Sequence, residues 1–200
     1  MAERASRHSI RLVGYDYARA GAYFVTLCTQ GRLPLFGDVF DGTMHSSSAG
    51  EAVVGCWQWL GEQYPYVSPD AFVVMPDHRH GILVIANRTA MYEPCAVGRG
   101  GAALGGSQTA PTERLVNNQE RKPLGRLIGS FKTVSTKRVN DLRGEPGAQL
   151  WQRNYYGHII RSERTLNRIR QHIIENPARW HGDPDGREAF REVGIKPTLR

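Results

Sequence analysis

Cysteine is scarce. The three in 200 residues, Cys28, Cys56 and Cys95, lie far apart and form no CxxC pair. They can build neither a zinc ribbon nor a disulfide framework, so buried or incidental thiols in a reducing compartment are expected. No run of 18 apolar residues occurs, which excludes a helical membrane span. No apolar segment follows the basic residues of MAERASRHSIRLVGYDY. A secretory signal is therefore not expected, and a cytoplasmic location is the default. Internal repeats are missing too. Lysine is almost absent, with four against twenty-two arginines, in a chain of net charge +7 and pI ≈ 9.6. An arginine-rich basic domain suits nucleic acid, because guanidinium meets phosphate through a planar fork of donors. A high-GC genome produces the same bias, and composition leaves the two explanations level.

With 40% apolar residues, the chain can bury one proper core, and its length suits one domain spanning 1–200. Ala22–Thr29 (AYFVTLCT) reads as a strand, and Gly31–Gly42 as turn-rich. Ser48 and Glu51 have capping-box spacing ahead of Val53, Val54, Trp57 and Leu60, predicting a helix over 49–63 that Tyr64-Pro65 ends. Ala71–Met75 and Gly81–Ile85 are short apolar runs around PDHRH and read as an antiparallel pair turning near Pro76-Asp77. Residues 87–123, with GRGGAALGGSQTAPT, have no periodicity and read as a mobile, dispensable insertion. Helical spacing returns over 124–139, with Leu127, Ile128, Phe131 and Val134 on the apolar side. Tyr155–Arg161 can be a strand. Ser162 then caps a helix to about Asn176 that Pro177 stops, and a loosely ordered tail follows from Arg179. The order β-α-β-β-α-β-α predicts an α+β fold: a ferredoxin-like split βαβ antiparallel sheet with helices on one face, plus an extra C-terminal helix.

His78-Arg79-His80 is the sharpest local pattern. Residues i and i+2 of a strand share a face, so the two imidazoles can bind one divalent cation, of which Mn, Zn, Ni and Co suit histidine nitrogen. The third ligand must come from elsewhere. The same triplet also arises by chance in a chain with seven histidines. On the last helix Leu166, Ile169 and Ile173 form one apolar stripe, and His172 and Asn176 lie one turn apart along its edge. If the stripe packs on the sheet, both reach its rim, where a third ligand and a nucleophile could stand. A hydrated helix edge accounts for them equally well. Basic residues Arg126, Lys132, Lys137 and Arg138 on one helix, and Arg161, Arg164, Arg168 and Arg170 near another, could track phosphates or simply form solvated faces. Arg4, Arg7 and Arg11 could be an arm on DNA or a free basic tail.

Four segments in this order, IRLVGYDYARAGAYFVTLCT, VVMPDHRHGIL, GRLIGSFKT and LWQRNYYGHIIRSERTLNRIRQHIIENPARW, cover most of the chain outside 87–123. In order and spacing they resemble the HUH single-tyrosine transposases, in particular the REP-associated tyrosine transposase branch. The resemblance implies cleavage and strand transfer on single-stranded DNA beside a hairpin. It implies a divalent metal, Mg or Mn, held by His78 and His80 with Asn176 as third ligand, and a helix-borne tyrosine that attacks the phosphodiester. Members of the wider family are often dimers and REP-associated ones can be monomers, so homodimer and monomer both stay open. DNA, single-stranded or hairpin, is the implied partner, and no membrane.

Two departures stand out. The middle HUH residue is usually hydrophobic and here is Arg79, expected to be solvated or to lay its stem along the sheet. The family tyrosine lies four residues before the Asn of Asn-Pro, and here that position is His172. The domain could therefore bind DNA without nicking it. Alternatively, Tyr155 or Tyr156 could reach the site as a substitute nucleophile, although strand aromatics are mostly core, or His172 could act itself. A hydrolase of another substrate is a third function class, but no carboxylate cluster accompanies the histidines.

Overall fold

The computed structural model describes residue 12, residues 14–86 and residues 121–180. Most of the expected insertion (87–120), Cys95, the N-terminal arginines and the tail from 181 lie outside the described residues.

Four strands form one antiparallel sheet in the order β4-β5-β1-β6. They are β1 (Gly21–Cys28), β4 (Val67–Met75), β5 (His78–Ile85) and β6 (Tyr156–Ile160). The helices are α1 (Ser48–Gln63), α2 (Leu124–Arg143) and α3 (Glu163–Arg179). This is the expected α+β plan. The alternation of AYFVTLC explains the layering, since successive residues of a strand face opposite sides. Tyr23, Val25 and Leu27 join Val53, Trp57 and Leu60 of α1 and Leu127, Ile128 and Phe131 of α2 in the main core. Phe24 faces the other way, meeting Ile82, Tyr156 and Ile160 under Ile169 and Ile173 of α3. Helices α1 and α2 thus cover one face and α3 covers the other. Each fully buried Ile or Leu contributes about 1.5–3 kcal/mol to holding a helix in place.

Several boundaries differ from the sequence expectation. The stretch 31–42 is not merely turn-rich. It contains β2 (Gly37–Phe40), which pairs with β3 (Thr43–Ser46). The connection is Asp41-Gly42, both at positive φ (49° and 69°), as a two-residue hairpin turn requires. Helix α1 is capped by Ser47, whose hydroxyl accepts from the Gly50 N–H at 3.2 Å, not by Ser48. Helix α3 runs through Pro177 to Arg179. A proline so close to the C-terminus disturbs only the last turn, which the Trp180 N–H closes onto the Pro177 carbonyl. Cys28 and Cys56 are buried free thiols. Among the described residues no helix is long and apolar enough to cross a membrane.

Candidate functional site

Strand β5 begins at His78, directly after the Pro76-Asp77 turn. His78 and His80 share the face that carries Phe24 and Ile82, the face that α3 covers. Both imidazoles are almost fully buried, at 2% and 1% exposure. Their Nε2 atoms face each other at 3.0 Å. Each ring is fixed from behind. His78 Nδ1 lies 2.6 Å from Asp77 Oδ1, and His80 Nδ1 lies 2.8 Å from the Thr26 hydroxyl on β1. Asp77 is held in turn by Arg32 Nε at 3.4 Å.

A carboxylate can only accept from a neutral imidazole. His78 Nδ1 therefore carries the proton, and its Nε2 offers a lone pair to His80. That lone pair can meet a proton on His80 Nε2, with the Thr26 hydroxyl donating to His80 Nδ1. Alternatively both Nε2 lone pairs can meet one cation, with His80 Nδ1–H donating to Thr26. Two ligands bound at about 2.1 Å and at right angles stand about 3 Å apart, so the Nε2 separation is compatible with one shared cation. Burial, together with the nearby His78, His172 and Arg79, holds the His80 pKa well below its ordinary value. It is thereby kept neutral, the form in which an imidazole nitrogen can ligate.

Helix α3 brings two more polar groups to this face. Ser162 caps it by accepting from the Thr165 N–H at 3.2 Å, and the Arg170 fork holds Asp70 of β4 at 3.0 and 2.6 Å. The helix is thus pinned to the sheet by a polar clamp and by its apolar stripe. His172 and Asn176, one turn apart, are both buried. The His172 ring lies 5.4 Å from the His80 ring and 6.4 Å from Phe24. Among the described residues no group of three or more His, Cys, Asp or Glu side chains forms a ready-made metal cage. Two imidazoles with an amide such as Asn176 would leave coordination positions open.

The tyrosines separate. Tyr156 lies on the histidine face, opposite Thr26 in the β1–β6 register, but it is buried in the α3 cluster, and burial pushes its pKa up to about 12. Tyr155 packs against the main core on the other face, away from the pair. Arg79 is neither solvated nor edge-lying. It is fully buried on the α1/α2 face, its guanidinium carbon 3.3 Å from the Trp57 ring centroid and 5.3 Å from that of Phe131. The odd position in HRH must point into that core, and Gly81, two residues on, leaves the space the guanidinium fills.

Among the candidate DNA contacts, Arg126, Arg161 and Arg168 are exposed. Lys132 is engaged otherwise. Its ammonium donates to the carbonyls of Gln152, Arg153 and Asn154 at 2.7, 3.2 and 2.9 Å, and burial lowers its pKa to about 8. With three donors and three carbonyls, it clamps the segment before β6 instead of offering itself to phosphate. Arg170 is likewise taken by Asp70. Thr26, Asp77, Arg32 and Trp180 were not singled out from the sequence. Trp180 follows α3, and its ring stacks on His78 with centroids 5.7 Å apart and planes 30° apart. Asp77 was legible as the immediate neighbour of His78. Thr26 required the strand register, and nothing in the sequence marked Arg32 or Trp180.

No protein-family model matches the chain. An uncharacterized protein of Haemophilus influenzae strain Rd is 32% identical over 181 residues, covering 88% of this chain and 91% of that protein. Among solved structures, a REP-associated tyrosine transposase bound to a REP hairpin aligns at TM-score 0.49 with 15% identity, covering 91% of this chain and 75% of that one. A proposed transposase from Deinococcus radiodurans R1 aligns at TM-score 0.43 with 17% identity, covering 84% of this chain and 96% of that one.

Proposed function

The chain belongs to the family of the Haemophilus influenzae protein, and within it we propose a transposase-like domain that binds single-stranded or hairpin DNA and holds a divalent cation at the strand. The observation that carries this reading is the His78–His80 pair, with Nε2 atoms 3.0 Å apart and both rings fixed from behind by Asp77 and Thr26. The order of sequence segments that resemble the HUH transposases supports it independently.

His78 and His80 would hold the cation, Mg or Mn, with Asn176 as a third ligand from α3. When bound, the ion supplies Lewis-acid polarisation of a phosphodiester oxygen. Asp77 fixes the tautomer of His78, Thr26 holds the His80 ring in place, and hydrogen-bond partners of this kind raise ligand basicity. Helix α3, held by the Asp70–Arg170 clamp, sets the distance between Asn176 and the pair. Trp180 covers the outer side of His78 and limits water there.

The buried imidazole of His172 beside His80 favours a second reading, in which DNA is bound and not nicked. Imidazole is shorter than a phenol, and its ring lies 5.4 Å from that of His80, so His172 is better placed to approach the cation than an exposed phosphate. The deciding experiment incubates the protein with hairpin-bearing single-stranded DNA and Mn(II), then looks for cleavage products and a protein–DNA covalent adduct. Retained binding without an adduct supports the binding domain. Cleavage with an adduct supports the enzyme, and absence of any DNA binding removes both readings.

A further inference from the structure

The outward face of α2 carries two open clefts that adjoin at Thr133, together called the furrow. The one at the N-terminal end, ≈ 800 Å³, is lined by Arg121, Lys122 and Arg126 together with Trp59 and Tyr64. The one at the C-terminal end, ≈ 560 Å³, is lined by Lys137 and Arg153, with Asp141 the single carboxylate. Among the described residues, neither Arg121, Arg126, Lys137 nor Arg153 is paired with an acid. At about 1.5 Å per residue the 20-residue helix is about 30 Å long, enough for several nucleotides.

The far end of the furrow is tied to the histidine site. Its floor, residues 150–153, is fixed by Lys132 on three carbonyls. The same segment bonds the end of β1, through Gln152 N–H to the Cys28 carbonyl at 2.9 Å and Gln30 N–H to the Leu150 carbonyl at 2.8 Å. Thr29 N–H then bonds the Asp77 carbonyl at 2.9 Å, beside His78. The floor of the C-terminal cleft is thereby hydrogen-bonded to the sheet end where the histidine pair stands.

We propose that the α2 furrow is a track for the sugar–phosphate backbone of single-stranded DNA, with Arg126, Lys137 and Arg153 as phosphate contacts and the half-buried Trp59 as the surface on which a base stacks. Spaced cations with an aromatic surface at one end are the composition that single-strand binding uses. This rests on the DNA reading above and adds a surface on the sheet face opposite the histidines.

The test is the triple variant Arg126→Gln, Lys137→Gln, Arg153→Gln in the full chain. All three side chains are exposed, so the fold should hold, as checked by an unchanged thermal transition. Fluorescence anisotropy with a labelled single-stranded oligonucleotide is measured across a salt series, and Mn(II) binding by calorimetry. The expected result is affinity at least about tenfold weaker and a log K against log salt slope shallower by about 2, at roughly 0.7 per lost contact, with Mn(II) binding unchanged. Unchanged affinity and slope in the variant, where the wild type does bind DNA, overturn the track and leave the function standing. A wild type that binds Mn(II) but no oligonucleotide overturns both. A mononucleotide that competes as well as the oligonucleotide at equal phosphate concentration also overturns the track.

Discussion

Thr26 and His80 face each other across the β1–β5 register, the threonine hydroxyl 2.8 Å from His80 Nδ1. The hydroxyl can donate or accept, so it can serve both arrangements of the pair, the one with a proton between the Nε2 atoms and the one with a cation. Thr26→Val removes the acceptor that His80 Nδ1–H needs when Nε2 ligates. We expect Mn(II) affinity, measured by calorimetry, to fall about 10- to 100-fold in Thr26→Val and to recover in Thr26→Ser. His78→Ala should abolish it. Wild-type affinity in Thr26→Val would show that the hydroxyl plays no part in ligation.

Arg79 makes the opposite case, a charge buried without a counter-ion among the described residues. Its Nη2 donates to the His80 carbonyl at 3.2 Å, while Nε and Nη1 have no hydrogen-bond partner among the described residues and burial pushes its pKa well down. Stacking on Trp57 repays part of the desolvation. Replacing a buried charge by an apolar residue of similar volume is often neutral or stabilising, so Arg79→Leu should fold with equal or greater stability. A Cβ on Gly81 would collide with Arg79 Nη2 and press on Phe72 and Trp57. Gly81→Ala alone should therefore cost about 1–3 kcal/mol. In the Arg79→Leu background the cost should shrink, a coupling that a double-mutant cycle in urea reads directly. Equal costs in both backgrounds would show that Phe72 and Trp57, not the guanidinium, set the limit.

The histidine pair was legible because a period of two puts His78 and His80 on one face whatever the details of the sheet. The α3 stripe was legible for the same kind of reason, since Leu166, Ile169 and Ile173 repeat at helical spacing. The same alternation should have sent Arg79 into the core, but a lone arginine with no acidic partner argues for solvent, and only the Trp57 ring resolves the conflict. The β2–β3 hairpin was missed although Asp41-Gly42 is a strong turn pair, because the glycines and Pro34 around it hid two four-residue strands. Thr26, Arg32 and Trp180 depend on register, loop path and the course of α3 past Pro177, which no local pattern encodes. Lys132 looked like any basic helix residue, and its three carbonyl partners come from a segment twenty residues downstream.

The Asp70–Arg170 clamp predicts a pH dependence. The hydrogen bond from Arg170 holds the Asp70 pKa below its ordinary value. A carboxylate with a depressed folded-state pKa contributes stability above its unfolded value, lost as pH falls through the folded one. Between about pH 5 and pH 3 the wild type should therefore lose more stability in urea than Arg170→Gln does, the difference being modest because both groups are partly exposed. Parallel acid profiles would mean that the apolar stripe alone seats α3.

His172 is where the two functional readings divide. It stands one helical turn before Asn176 and is buried against His80 and Phe24. A tyrosine at this position, longer and ending in a nucleophilic oxygen, would extend past the neighbouring rings toward a bound phosphate. We expect the wild type to bind hairpin DNA but nick it weakly or not at all, and His172→Tyr to raise cleavage and yield a covalent adduct on a denaturing gel. Tyr156→Phe should change nothing, because burial raises the phenol pKa to about 12 and so disfavours the phenolate that would attack. Tyr155→Phe should be equally silent, since that ring packs on the opposite face of the sheet. Efficient wild-type cleavage that survives both phenylalanine changes and disappears in His172→Ala would reverse this reading. The imidazole would then be the acting group, and a phosphohistidine adduct, labile in acid where a phosphotyrosine is stable, would identify it.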